Sequence, residues 1–253
     1  MHALGIDIGG TGIKAALVDV ATGKLLTERK KIATSRPSTP EAVTDVVREL
    51  AGSFGWTGVT GATFPGVVTG GTVRTAANVD HGWIGTNAAK LFGEAIGTEV
   101  AVLNDADAAG IAEVTFGAGT GERGTVLLLT FGTGVGSALF TGGLLVPNTE
   151  FGHIEIRGKD SELRASERAK QEHGWGWKEW AARVEEYLRR MEELLSPDLI
   201  IVGGGISKES EKWVPLLTGV QAKIVAAALH NDAGIVGGAM AAVSADKAEQ
   251  VSG

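Results

Sequence analysis

The chain has 253 residues and no cysteine. Disulfides, thiolate metal sites and cysteine nucleophiles are thereby excluded, so any chemistry must come from oxygen and nitrogen groups. Long apolar runs are also missing. None approaches the ~18 residues of a membrane span, and the N-terminus enters a strand pattern at once with no basic leader, so a cytoplasmic protein is expected. Positive charge is in deficit: 23 Lys and Arg face 30 Asp and Glu, a formal net charge of −7. That balance speaks against broad nucleic-acid binding, although a local basic strip could still hold a polyanion. No GxxxxGK[ST] occurs, which removes the Walker loop.

Hydrophobic residues at 43% and charged residues at 21% fit a globular protein of one large or two moderate domains. The most informative abundance is glycine, 38 residues, about twice the ~7% average. It asks where backbone must approach something closely.

Residues 3–20 read as strand, glycine turn and strand, a β-hairpin with Asp7 near the end of its first strand and Ile13, Ala15 and Leu17 facing inward. KLLTERKKIAT reads as a third strand. Thr39-Pro40 opens a helix, because threonine supplies an N-cap oxygen and proline suits the first helical position; its apolar face is Ala42, Val43, Val46, Val47, Leu50 and Ala51. A strand at GVTGATFPGVV and an irregular stretch from Arg74 to Trp83 follow, then a buried strand EVAVLN with a helix directly after it. At residue 125 the opening pattern returns, since TVLLLTFGTGVGSALFTGGLLV is again strand, glycine turn, strand, and the chain reads as internally duplicated. A helix over 177–195 carries Trp177, Trp180, Ala181, Val184, Leu188, Met191 and Leu195 at helical spacing, a core face, and Pro197 ends it. DLIIVGG is a buried strand running into Gly203-Gly204-Gly205, with a helix expected near Lys208. The last ten residues are small and polar and are expected to be loose.

A strand ending in Gly-Gly-Thr-Gly or Gly-Thr-Gly-Val-Gly exposes backbone N–H groups and adds a threonine hydroxyl, which suits phosphate oxygens. One such turn alone is more often structural. Two copies, with a third glycine turn at 203–205, are the layout of a phosphotransferase.

DIGGTGIK, NDADAAG, TFGTGVGS, EFGH and IVGGGIS, in this order, resemble the ROK family of sugar kinases within the actin-like ATPase superfamily. RTAANVDHGWIGTN and EFGHIEIRGKDSELRAS narrow the resemblance to the polyphosphate glucokinases of that family. It implies an α/β, actin-like (ribonuclease H-like) duplicated fold of two lobes with a cleft between them. The expected small lobe is residues 1–105 and the larger lobe 106–253, with the option that a C-terminal helix rejoins the small lobe. The implied reaction moves a phosphoryl group from polyphosphate, and in some members ATP, to the 6-hydroxyl of glucose; the alternative is an ATP-dependent glucokinase or mannokinase. The family also implies Mg²⁺ or another divalent cation and a homodimer.

A sugar kinase needs a carboxylate beside the accepting hydroxyl. Asp105 stands at the end of a strand and the start of a helix, and its residues alone divide evenly between a base and a helix cap. The resemblance makes Asp105 the base and Asn104 a sugar ligand. It also carries sugar contacts onto Glu150 and His153 of the E-x-G-H piece, onto Glu162 of Glu-x-x-Ala-Ser, and onto Asn78, with Pro65 and Gly66 shaping the pocket floor. Many family members hold a cysteine-rich zinc loop after that histidine. IEIRGKDS stands there in this chain, so no zinc is expected and another group must hold Glu162.

Donor phosphates are assigned to Gly9, Gly10, Thr11, Thr130, Gly132, Thr133 and Gly134, and Asp7 to the metal–phosphate group, directly or through water. Lys14 either reaches the donor or covers the outer face of the hairpin. Gly204 and Gly205 resemble the turn that passes adenosine, while Lys159, Arg164, Arg168, Lys170 and Lys208 are available to a polyphosphate track. A sugar-responsive repressor of the same family would need a helix-turn-helix ahead of the first turn, where six residues precede Asp7, and a non-catalytic sugar-binding module would not need Asp105 and both phosphate turns.

Overall fold

The computed structural model describes residues 1–252, in two compact units: Met1–Ala112 with the segment from Asp232 onward, and Glu113–Asn231.

The first unit opens on an antiparallel hairpin, β1 (His2–Ile8) and β2 (Ile13–Asp19), paired over seven positions. Ile13, Ala15, Ala16 and Val18 are all buried and Leu17 partly so, because both faces of the hairpin are covered. The single third strand expected from the sequence is two, β3 (Lys24–Leu25) and β4 (Lys30–Ile32), each paired with β2. Between them the ladder is broken: the Leu17 amide donates to the Thr27 hydroxyl at 3.1 Å instead of to a backbone carbonyl. Helix α1 (Pro40–Ser53) begins where Thr39 Oγ1 accepts the Ala42 N–H at 3.3 Å, and it buries Val43, Thr44, Val46, Val47, Leu50 and Ala51.

Strand β5 (Thr60–Phe64) is followed by the small hairpin β6 (Val68–Thr69) and β7 (Thr72–Val73), then by α2 (Ala88–Ile96), β8 (Val100–Asn104) and α3 (Asp105–Phe116). The sheet order is β3-β2-β1-β5-β8, with β1, β5 and β8 parallel. As the edge strand, β8 buries only Val100 and Asn104 and leaves its middle half-covered, where the sequence suggested full burial. Alternation along β1 sends Leu4, Ile6 and Ile8 into one core with α1 and α2, centred on Trp83, Phe64 and Phe92.

The second unit repeats this plan. Strands β9 (Thr125–Phe131) and β10 (Val135–Thr141) form another seven-position hairpin, extended by β11 (Leu144–Val146). A two-stranded hairpin, β12 (Glu155–Ile156) and β13 (Lys159–Asp160), leads into α4 (Glu162–Ala165), α5 (Glu167–Glu172) and the long α6 (Trp177–Leu195). Then come β14 (Leu199–Gly203) and β15 (Lys223–Ala226), giving the order β11-β10-β9-β14-β15. Asp7 and Thr130 hold the same place, one residue before the end of the first hairpin strand. Helix α6 buries Trp180, Ala181, Val184, Leu188 and Met191 against Leu127, Leu129 and Phe131, with Trp180 and Trp213 edge-to-face at 5.0 Å. The helix expected near Lys208 is a 3₁₀ run, Gly205–Lys212, that starts earlier, because the Ser207 amide and hydroxyl both donate to Gly204 O.

Helix α7 (Ala233–Ser252) returns to the first sheet and packs on β1, β5 and β8. The tail expected to be loose thus continues a helix to Ser252; Gly253 lies outside the described residues. Close approach explains several glycines. A Cβ on Gly5 would overlap the Ile235 carbonyl, one on Gly61 the Gly238 carbonyl, and one on Gly237 the Ala108 carbonyl of α3.

Candidate active site

In the first unit the turn at residues 9–12 is closed by the Gly9 N–H donating to Gly12 O at 3.2 Å, so that amide is already used. Gly10 and Thr11 form the exposed tip. Asp7, one pair below the turn, is held from three sides. Thr63 Oγ1 donates to its Oδ1 at 3.0 Å, Lys14 Nζ lies 3.3 Å from its Oδ2, and a Cβ on Gly234 would come within 2.7 Å of its Oδ1. Gly234 is in the first turn of α7, whose positive end favours a carboxylate. Thr63 escapes sequence reasoning because it meets Asp7 only through the parallel β1–β5 register.

At the end of β8, Asn104 is buried, and its Oδ1 accepts the amides of Ala106 at 2.8 Å and Asp107 at 3.0 Å. That is the N-cap pattern, so the cap of α3 is the Asn104 side chain. Asp105 is the first residue of the helix, with its Oδ1 also 2.8 Å from the Ala106 amide. Asn104 Nδ2 donates to Gly66 O at 3.2 Å, which ties the strand end to the Pro65-Gly66 bend. A Cβ on Gly66 would overlap Thr75 O, and Thr75 Oγ1 accepts the Val67 amide at 2.9 Å. Asn78, three residues on, is exposed.

In the second unit the turn at residues 132–134 closes through the Gly132 N–H and Gly134 O at 3.0 Å, with Thr130 half-buried below it and Thr133 exposed. Glu162 is packed against this turn: its Oε2 accepts the Val135 amide at 3.2 Å, and a Cβ on Gly134 would overlap the same oxygen. Glu150 precedes and His153 ends the short 3₁₀ turn Phe151–His153, with His153 Nε2 3.8 Å from Glu150 Oε2. His153 Nδ1 shares a hydrogen bond of 3.0 Å with Asp160, brought round by the β12–β13 hairpin. No spacing rule would have paired these two residues. Burial lifts the Glu150 carboxyl above the usual carboxylate range, opposed by His153 and reinforced by Glu162. The hydrogen bond to Asp160 raises the His153 pKa, opposed by burial, with Glu162 and Glu150 adding to the rise. The third glycine turn lies against the second hairpin: Gly204 has φ +86°, and a Cβ there would overlap Phe131 O, while Gly205 faces Glu167.

The basic residues expected to form a track are largely engaged. Arg164 donates to Glu186 at 2.9 Å, Arg168 lies 3.9 Å from Glu172, and Lys170 sits over the Trp177 ring at 4.3 Å. Lys159 and Lys208 are exposed.

A model of the ROK family matches residues 3–173. The chain belongs to the ROK family. Over 244 residues it is 52% identical to a polyphosphate glucokinase of Mycobacterium tuberculosis, covering 96% of this chain and 92% of that protein. The crystal structure of an inorganic polyphosphate/ATP-glucomannokinase from Arthrobacter sp. strain KM superposes with a TM-score of 0.92 at 45% identity, covering 98% and 99% of the two chains. A ROK family glucokinase from Streptomyces griseus, in complex with glucose and AMPPNP, gives a TM-score of 0.83 at 27% identity, covering 96% and 100%. The fold is therefore the two-lobed actin-like ATPase fold of the ROK sugar kinases, and the repeated strand order of the two sheets is its duplication.

Proposed function

We propose that this chain transfers the terminal phosphoryl group of inorganic polyphosphate to the 6-hydroxyl of glucose, giving glucose 6-phosphate and a polyphosphate shorter by one unit. The observation that carries this reading is the 52% identity to a polyphosphate glucokinase across 96% of the chain. ATP is a second donor in this reading, supported by the dual-donor name of the Arthrobacter protein. Mannose as an alternative acceptor has the same support.

Asp105 takes the proton of the 6-hydroxyl as the oxygen attacks phosphorus, and the bridging oxygen leaves with the shortened chain. Asn104 Oδ1 keeps its own bonds to the Ala106 and Asp107 amides when Asp105 is changed. Asn104, Asn78, Glu150, His153 and Glu162 are proposed to hold the sugar hydroxyls, which both donate and accept, with Pro65 and Gly66 as the floor. Gly10, Thr11, Thr133 and the turns around them are proposed to take donor oxygens, Lys14 to add charge, and Gly204 and Gly205 to pass the nucleotide when ATP is used.

No group of three or more His, Asp or Glu able to hold a metal ion occurs among the described residues. Asp7 offers one carboxylate, already bonded to Thr63 and Lys14. This donor set fits a Mg²⁺ ion carried mainly by the donor phosphates and water, with Asp7 as its protein contact, and it does not fit a protein cage. When bound, the ion neutralises charge on the transferring phosphoryl group. Among the described residues no helix is long and apolar enough to cross a membrane. A homodimer is proposed, supported by Leu144 and Val146 exposed on edge strand β11.

Formation of glucose 6-phosphate from glucose, Mg²⁺ and polyphosphate without nucleotide tests the reaction, and Asp105→Asn tests the base. Turnover by the variant should fall ~10²-fold or more with glucose binding largely retained. Near-normal turnover would return Asp105 to a structural role.

A further inference from the structure

Strand β4 brings to the first glycine turn a lysine that motif reading overlooks. In the β1–β2 register Asp7 lies opposite Lys14, and in the β2–β4 register Lys14 lies opposite Lys31. Directly opposed residues share a face of the sheet. Asp7, Lys14 and Lys31 therefore form a row across three strands, one pair below the turn at residues 9–12. The Lys31 stem crosses Gly12: a Cβ there would overlap Lys31 Cε and lie 3.4 Å from its Nζ. Glycine at position 12 leaves the space through which this side chain passes beside the turn.

The charges in this region are unequally satisfied. Lys14 is paired with Asp7 at 3.3 Å, Arg29 with Asp232 at 2.7 Å, and Lys30 donates to Ser53 O at 2.7 Å while lying over the Phe54 ring. The Lys31 side chain is exposed, and its ammonium has no hydrogen bond or ion pair with any described residue. Like charges directly opposed in a sheet repel each other, and Asp7 offsets one of the two ammonium groups, so one positive charge is left over for an anion. We propose that Lys31 is a donor-binding residue, its ammonium holding the phosphate chain where it passes the first glycine turn. The row then presents one carboxylate and two ammonium groups, a net positive site beside the exposed tip residues Gly10 and Thr11. This rests on the reading that the substrate is a phosphate-chain donor and adds to it a residue outside the glycine turns.

The test compares Lys31→Ala, Lys31→Glu and Lys31→Arg with the native protein, using Lys24→Glu on exposed β3 as a control for net charge. Apparent KM is measured for long-chain polyphosphate, ATP and glucose at several salt concentrations, and direct binding of polyphosphate without glucose is measured by calorimetry. Loss of one charge-assisted contact at an exposed site should raise polyphosphate KM and Kd about five-fold, more for Lys31→Glu, with Arg restoring most of it. The slope of log affinity against log salt should become shallower by about one for Lys31→Ala. Glucose KM should stay within about two-fold, and Tm should hold or rise, because a repulsive pair has been removed. An equal rise in KM for ATP places the contact on phosphates common to both donors; a smaller rise places it further along the chain. Polyphosphate affinity and salt slope equal to native in both Ala and Glu variants would overturn the proposal, as would a drop in Tm with donor affinity unchanged. If the native protein turned over neither donor, the functional reading would fail, while calorimetry would still decide whether Lys31 binds polyphosphate.

Discussion

His153 and Asp160 are seven residues apart, and the hairpin between them turns that separation into a 3.0 Å hydrogen bond. The bond raises the histidine pKa above its ordinary 6.5. A raised value in the folded state means that the pair's stabilisation is complete below about 6.5 and is lost as pH climbs through the raised value. Asp160→Asn should move the His153 titration, followed by the ring signals in NMR, down toward the ordinary value. An unchanged titration would mark the contact as incidental. The positions of Asp7, Asn104 and Asp105 at strand ends are legible from the sequence. The division of labour between Asn104 and Asp105 is not, because capping is a matter of which oxygen reaches which amide, and two adjacent residues have the same sequence signal. Thr63 and Asp160 are invisible to sequence reasoning because their contacts cross between strands or around a hairpin.

The elements that place these residues depend on glycine in a way the phosphate turns do not exhaust. Gly10 and Gly132 sit at the open tips, where an added Cβ would meet nothing within 4 Å, whereas Gly5, Gly61 and Gly237 let α7 approach β1, β5 and α3 backbone to backbone. Gly61→Ala should therefore destabilise the fold by ~2–3 kcal/mol or more in urea unfolding, since the obstacle is a carbonyl that cannot rotate away. Gly10→Ala should change stability little. Equal stability of the two variants would contradict the packing account. Helices α1 and α6 are readable from capping and periodicity, as is each hairpin of two seven-residue strands. The β3–β4 interruption and the 3₁₀ run after Gly204 are not, because each involves a particular side-chain hydrogen bond that periodicity does not show.

At the scale of the molecule, two sheets with the same order carry a glycine turn at the same position, and the sequence repeat announces that symmetry. The donor is less legible, since the expected basic residues are mostly paired while Lys31, on a three-residue strand, has no motif to mark it. The physical difference between the donors supplies the decisive experiment. Polyphosphate brings repeated charge and many equivalent ends, and ATP brings an adenine with three phosphates. Initial rates of glucose 6-phosphate formation should be measured with ATP and with polyphosphates of defined length, each at several salt concentrations. The expected result is turnover with polyphosphate alone, kcat/KM rising with chain length, and a steeper salt dependence for long chains than for ATP. Turnover with ATP and none with polyphosphate of any length would contradict it.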